Sequence, residues 1–186
     1  MAVVGIVLAA GAGSRFGRPK ATVVEDGRSW LDRAIESLRR GGCEDVVVVL
    51  GAEADQARTQ VAGDVRVVVA DDWADGLSAS LRRGLGAIAD DAPTVDRASI
   101  TLVDLPDVGA QVVARLLARS GGEDALVRAS YGGRPGHPVV LGRAHWAGVR
   151  ETVSGDRGAG DYLVEHGVTL VECSDLATGA DLDVPR

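Results

Sequence analysis

The sequence predicts an α/β fold of three layers built on a mostly parallel sheet. Three observations predict it. Short Val-rich apolar runs recur along the chain, continuous rather than alternating. Amphipathic helical patterns lie between them. A glycine-rich loop follows the first run directly. Continuous apolar runs mark strands buried on both faces, and strand alternating with helix gives right-handed crossovers.

The first element is the apolar stretch Met1 to Ala10. Ten residues cannot cross a bilayer as a helix, and no positive charge precedes them, so a buried strand is expected rather than a leader. Helix is expected next over Trp30–Arg40, where Leu31, Ala34, Ile35 and Leu38 share a face. Strands are expected at Asp45–Leu50 and Val65–Ala70. A second helix runs over Ser78–Ala89 with Leu81, Leu85 and Ile88 inward. Ser99–Val103 reads as strand, then Val108–Ala118 as a helix burying Val112 and Leu116. Ala125–Ala129, Pro138–Leu141 and Val168–Glu172 complete the strands, with Ser120-Gly121-Gly122 and Gly132–Gly136 as loops. No linker divides the chain, and 186 residues suit one domain over 1–186.

Composition removes several functions. Acidic residues number 27 against 20 basic, for a net charge of −7. Without a basic block the chain is a poor partner for nucleic acid or an anionic membrane. Cys43 and Cys173 cannot form a disulfide framework, which suggests a reducing, cytoplasmic setting. Aromatic content of 3% argues against a ligand sandwiched between rings. Of the 20 basic residues only Lys20 is lysine.

That lysine ends the first loop, Leu8-Ala9-Ala10-Gly11-Ala12-Gly13-Ser14-Arg15-Phe16-Gly17-Arg18-Pro19-Lys20. A glycine loop leaving a parallel strand lies where open α/β sheets bind ligands, and glycine lets backbone N–H groups approach phosphate. Its GxGxxxG is one residue off the dinucleotide fingerprint. Pro19 delays any helix, and Leu50-Gly51 supplies no acidic residue for a ribose. The P-loop ending GK[ST] is missing. A triphosphate loop neutralised by Arg15 and Lys20 is the third reading, beside an ordinary βα turn.

LAAGAGSRFGRPK resembles the LAAGxGxRxGxPK signature of nucleotidyltransferases, and most of all the MobA-like members that act on molybdopterin, the molybdenum cofactor. The resemblance implies a Rossmann-like fold of the nucleotide-diphospho-sugar transferase type. It implies that Leu8 to Gly11, Gly13, Ser14 and Arg15 hold the nucleotide, with Lys20 and Arg15 acting on phosphate. Further elements follow in family order. Trp73 to Leu85 is similar to the WxxGLSxSLRxGL stretch, placing Gly76, Ser78 and Ser80 at the nucleotide. Independently, serines at a helix start can cap it or bind an anion.

Asp104-Leu105-Pro106-Asp107-Val108 resembles DLPxV, which implies Mg²⁺ on Asp104. A strand-end carboxylate suits that ion, while Asp107 suits capping of the next helix. Gly136-His137-Pro138 resembles an acceptor-facing GHP element. Gly155-Asp156-Arg157-Gly158-Ala159-Gly160 resembles GDxGAR, with Gly160 in place of Arg, so another group such as Arg157 must serve, or another acceptor. Asp181-Leu182-Asp183-Val184-Pro185 resembles DIDTP and implies Asp183 as a second metal carboxylate.

The implied reaction joins NMP from a nucleoside triphosphate to a phosphorylated acceptor and releases pyrophosphate. LAAG rather than LAGG points to CTP. A molybdoenzyme partner is in keeping with this. Two other functions compete: a pyridine-nucleotide-dependent oxidoreductase of the nicotine blue type, and a non-catalytic molybdenum cofactor-binding maturation factor.

Overall fold

The computed structural model describes residues 2–61, 63–91 and 94–183. β1 (Ala2–Ala9) leads through the glycine loop to one 3-10 turn, Lys20–Thr22, and a small hairpin of β2 (Val24–Glu25) and β3 (Arg28–Ser29). Then come α1 (Trp30–Gly41), β4 (Asp45–Leu50), α2 (Ala54–Arg58), β5 (Arg66–Val69), α3 (Leu77–Asp91), β6 (Val95–Leu102) and α4 (Ala110–Arg119). β7 (Leu126–Tyr131), β8 (Arg134–Gly142), α5 (Trp146–Thr152), α6 (Gly160–Glu165) and β9 (Thr169–Glu172) follow.

The main sheet has the order β5-β4-β1-β6-β8-β7-β9. All neighbouring pairs are parallel except those made by β8, which runs antiparallel to both β6 and β7. The fold is therefore Rossmann-like α/β, as the continuous apolar runs predict.

Strand alternation builds the three layers. Val4, Ile6 and Leu8 of β1 join Val47 and Val49 of β4 on one face, under Leu81, Leu85 and Ile88 of α3. Val3, Val7 and Ala9 point the other way, with Val46, Val48 and Leu50, under Trp30, Leu31, Ile35 and Leu38 of α1. A third cluster lies where Val112 and Leu116 of α4 cover Val127 and Val140. Ser29 starts α1 by accepting the Leu31 N–H at 3.1 Å, and Gly42, at φ 113°, ends it in the left-handed conformation.

Three boundaries differ from expectation. β6 begins at Val95, not Ser99, because Arg97 enters the sheet with its guanidinium bonded to the Ser120 carbonyl and hydroxyl, each at 2.7 Å. β8 begins at Arg134, not Pro138. Gly132 and Gly133, both at positive φ, make a two-residue hairpin turn, and a register shift near Ala129 absorbs the irregular Gly and Pro positions. α4 begins at Ala110, with Gly109 rather than Asp107 before it and no side-chain cap. The short helices α2, α5 and α6 and the small hairpin are additions to the expected elements. No described helix is long and apolar enough to cross a membrane.

Candidate functional site

The carboxyl ends of β1 and β6 open into a cleft of about 580 Å³. Leu8, Ala9, Ala10, Gly11, Gly13, Ser14, Arg15 and Lys20 line it from the first loop, Gly76 and Ser80 from the start of α3, and Asp104, Asp156 and Asp183 from beyond. The parallel sheet is the reason. Loops leaving adjacent parallel strands in one direction meet at one edge.

Loop shape follows from its glycines at one position above all. Gly13 has φ +61°, and a Cβ there would lie 2.0 Å from the Arg18 carbonyl oxygen. The Gly17 N–H closes the loop on the Gly13 carbonyl at 2.8 Å.

At the cleft floor Lys20 Nζ donates to Asp104 Oδ2 at 2.7 Å and to Asp183 Oδ1 at 2.9 Å. Arg15 reaches the other Asp183 oxygen at 2.7 Å. Lys20 and Asp104 are each only 14% exposed in their side chains, so water screens their pairing little. Burial by itself would lower the Lys20 pKa, but hydrogen bonds to both carboxylates and their charges outweigh it, and the net direction is upward. Asp183 is held below the usual carboxylate range, first by the Lys20 hydrogen bond and charge, with a smaller part from Arg15.

A third carboxylate, Asp181, stands with Asp104 and Asp183, with one oxygen of each lying within 4.8 Å of the others. Asp104 Oδ1 is buried and has no hydrogen-bond partner among the described residues. Hard oxygen donors in this number, one of them orphaned, fit a divalent cation such as Mg²⁺.

The segment bearing Asp181 and Asp183 is tied down by Asp107. Its Oδ2 accepts both the Thr178 N–H and hydroxyl at 2.6 Å, and the Leu182 N–H reaches the Asp104 carbonyl at 3.1 Å. Asp107 therefore anchors a distant segment instead of capping α4, because the turn after it delays the helix by two residues. Val184 and Pro185 of the closing motif lie outside the described residues.

Other assigned residues separate. Ser78 does not line the cleft. It is 1% exposed, and its hydroxyl lacks a partner among the described residues. Gly76 lines the cleft but also serves contact: at φ +100°, a Cβ would stand 2.4 Å from Asp156 Oδ1. His137 and Arg157 line a separate pocket, and Asp156 the cleft itself. Gly136 lines neither of these; a Cβ there would press on the Tyr131 ring at 2.8 Å. Sequence reasoning missed Asp181, Phe16 and Trp73 at the cleft. The Asp-Leu-Asp spacing was the available signal for Asp181.

His137 is partly buried, and its pKa is pushed down to about 4, by burial first and by the Arg128 charge second. A histidine depressed on folding stabilises fully above its unfolded pKa of about 6.5, and that stability is lost as pH falls toward the folded value. Denaturant titrations of the parent should lose up to about 3 kcal/mol more between pH 6.5 and 4 than those of His137→Gln. Parallel curves for the two proteins would contradict this assignment.

A family model described as a MobA-like NTP transferase domain matches residues 5–170. A nicotine blue oxidoreductase of Paenarthrobacter nicotinovorans is 39% identical over 192 residues, covering 97% of this chain and 92% of that protein. A 2-C-methyl-D-erythritol 4-phosphate cytidylyltransferase of Rhodococcus jostii is 42% identical over 97 residues, covering 50% of this chain and 41% of that one. The crystal structure of a Mycobacterium tuberculosis Rv0371c homologue from Mycobacterium sp. strain JC1 superposes with a TM-score of 0.81 at 28% identity, covering 98% and 90% of the two chains.

Proposed function

The chain belongs to the MobA-like NTP transferase domain family, and from that premise we propose that it transfers CMP from CTP to a phosphorylated acceptor of the molybdopterin type. The observation that carries this reading is the meeting of three carboxylates and Lys20 at the glycine loop. A triphosphate brings a divalent ion that needs such ligands, whereas a pyridine dinucleotide does not.

In the proposed reaction an acceptor phosphate oxygen attacks the α-phosphorus. A bond forms there, the bond to the bridging oxygen of the β-phosphate breaks, and pyrophosphate leaves. The loop glycines let backbone N–H groups approach the phosphates, and Arg15 and Lys20 offset their charge. Asp104 and Asp183, with Asp181 beside them, would hold Mg²⁺, which when bound supplies charge neutralisation at the reacting phosphates. Lys20 exchanges its carboxylate partners for phosphate as the nucleotide enters, so its ammonium stays paired throughout. The nucleophile is already ionised, and positioning does most of the catalysis. CTP is favoured by the LAAG form of the loop and by the cytidylyltransferase likeness. The setting in keeping with this function is the cytoplasm, with a molybdoenzyme as the product's recipient.

A second reading has one specific observation in its favour, the 39% identity to a nicotine blue oxidoreductase over nearly the whole chain. The experiment that separates them pairs two assays on one preparation. Pyrophosphate release is measured from the four NTPs with Mg²⁺ and a panel of phosphorylated acceptors, and binding is followed by NADH and NADPH fluorescence. Release from CTP supports transfer. Saturable pyridine-nucleotide binding with no CTP binding reverses the choice, and cofactor binding without either would favour the maturation-factor function.

A further inference from the structure

The turn that follows β6 carries two carboxylates, Asp104 and Asp107. Asp104 lines the cleft, whereas Asp107 does not. Beyond β9, residues 177–183 form neither helix nor strand, yet they deliver Asp181 and Asp183 to the same cleft. A segment without a helix or a ladder holds one path only where its amides find other partners. Here the amides of Thr178, Ala180 and Leu182 do so at alternate positions.

The Thr178 N–H and hydroxyl both donate to Asp107 Oδ2, each at 2.6 Å. With its proton committed to Asp107, the Thr178 hydroxyl turns a lone pair toward the Ala180 N–H and accepts it at 3.2 Å. The Leu182 N–H donates to the Asp104 carbonyl. Asp181 therefore stands between two bonded amides, and both chains of bonds end on the one turn after β6. The two cleft carboxylates of this segment differ in what else holds them. Asp183 is paired through its side chain with Lys20 and Arg15. The Asp181 carboxylate has no such tether among the described residues, so its place depends on its backbone.

We propose that Asp107 is a positioning residue for the divalent-cation site, setting through Thr178 and Ala180 where the Asp181 carboxylate stands. The inference rests on the nucleotidyl-transfer reading, which puts a divalent ion on these carboxylates. A small hard cation demands its oxygen ligands at one spacing, so a carboxylate on a loose backbone contributes little. Partners outside the ligand set that fix its geometry commonly change metal affinity about 10- to 100-fold. Asp107 and Thr178 are both exposed, so their bonds compete with water and add little to global stability. Loss of Asp107 therefore acts on the spacing of the carboxylates and leaves the folded core intact.

Mn²⁺ is a suitable probe, titrated into the full chain and followed by electron paramagnetic resonance. The parent is expected to bind it saturably. Asp107→Ala should weaken binding about tenfold, the lower end of the range for such partners, with a melting temperature near the parent's. Asp107→Asn removes the charge but keeps an acceptor oxygen for Thr178, and should stay within about threefold of the parent. Thr178→Ser keeps the hydroxyl and should match the parent. In an Asp181→Asn background Asp107→Ala should change the affinity less than about twofold, because the residue through which it acts is already lost. In the pyrophosphate assay Asp107→Ala should need about tenfold more Mg²⁺ for half-maximal rate, with kcat at saturating Mg²⁺ within about twofold of the parent. If Asp107→Ala does not fold, Thr178→Val removes the acceptor for Ala180, and a loss of Mn²⁺ affinity of about threefold or more is expected. Four results overturn the inference: no Mn²⁺ binding by the parent, an unchanged affinity in Asp107→Ala, an equal loss in Asp107→Asn, which would make the effect one of charge, or an undiminished loss in the Asp181→Asn background. Absence of pyrophosphate release from every NTP, with Asp107-dependent Mn²⁺ binding intact, would instead count against nucleotidyl transfer alone.

Discussion

Replacing Lys20 by Arg should lower pyrophosphate release about 10²–10³-fold although the formal charge is unchanged, the scale seen when one preorganised donor to a reacting group is lost. The ammonium is a compact point charge held at 2.7 and 2.9 Å between two carboxylates. It occupies space that is mostly closed to water, the side chain being 14% exposed. A guanidinium is broader, planar and bound to a fork geometry. It can pair with one carboxylate face-on, but it cannot sit between Asp104 and Asp183 without pushing them apart. It would also hold them more firmly when nucleotide and metal arrive. The expected signature is a fall in kcat with the melting temperature near that of the parent. Near-normal kcat would remove Lys20 from the catalytic residues.

The second large effect concerns Gly13→Ala. Gly13 is at φ +61°, and the new methyl would lie 2.0 Å from a backbone oxygen that cannot swing aside as a side chain could. The left-handed conformation alone costs an alanine about 1–2 kcal/mol. The overlap adds to that, so the loop must rearrange. CTP affinity should fall at least tenfold, a measurable loss by equilibrium dialysis. Gly11→Ala is the control for strain, because its Cβ meets nothing within 4 Å and its φ is not positive. Its melting temperature should equal the parent's, and any loss of affinity would then come from the methyl meeting the nucleotide. Equal CTP affinity for Gly13→Ala and the parent would mean that the nucleotide does not use this loop shape.

The parallel half of the sheet was legible because burial on both faces demands uninterrupted apolar runs, as in Asp45–Leu50. The long helices α1 and α3 were legible through periodicity. The helices of five to seven residues, α2, α5 and α6, offer too few turns for a period to register. The first residues of β8, before Pro138, were hidden by Pro135 and Gly136, local breakers whose effect the hairpin overrides through pairing with β7. At the site, the first loop's place at the cleft was legible from its position directly after β1, while its use for a nucleotide came from the resemblance of its signature, the residues alone leaving several readings open. Asp107 was not, because its partner Thr178 is 71 residues away. Ser78 likewise reads as a cap, and only the helix's rotation reveals that it faces inward. Contacts fixed by the turning of an element or by remote segments leave no local trace.

The ion pair between Lys20 and Asp183 joins residues 163 positions apart. Few contacts in the molecule have higher contact order, and closing so long a loop carries a large entropic cost before the bond can form. The competent site therefore cannot form until the segments at 20, 104 and 183 have all come together. The carboxylates at 181 and 183 lie beyond the last strand, β9, so a chain with this segment undocked keeps its sheet while its carboxylate group is incomplete. In native-state hydrogen exchange, the Leu182 amide, bonded to the Asp104 carbonyl at 3.1 Å, should open well before the amides of β1 and β4, with an opening free energy far below that of global unfolding.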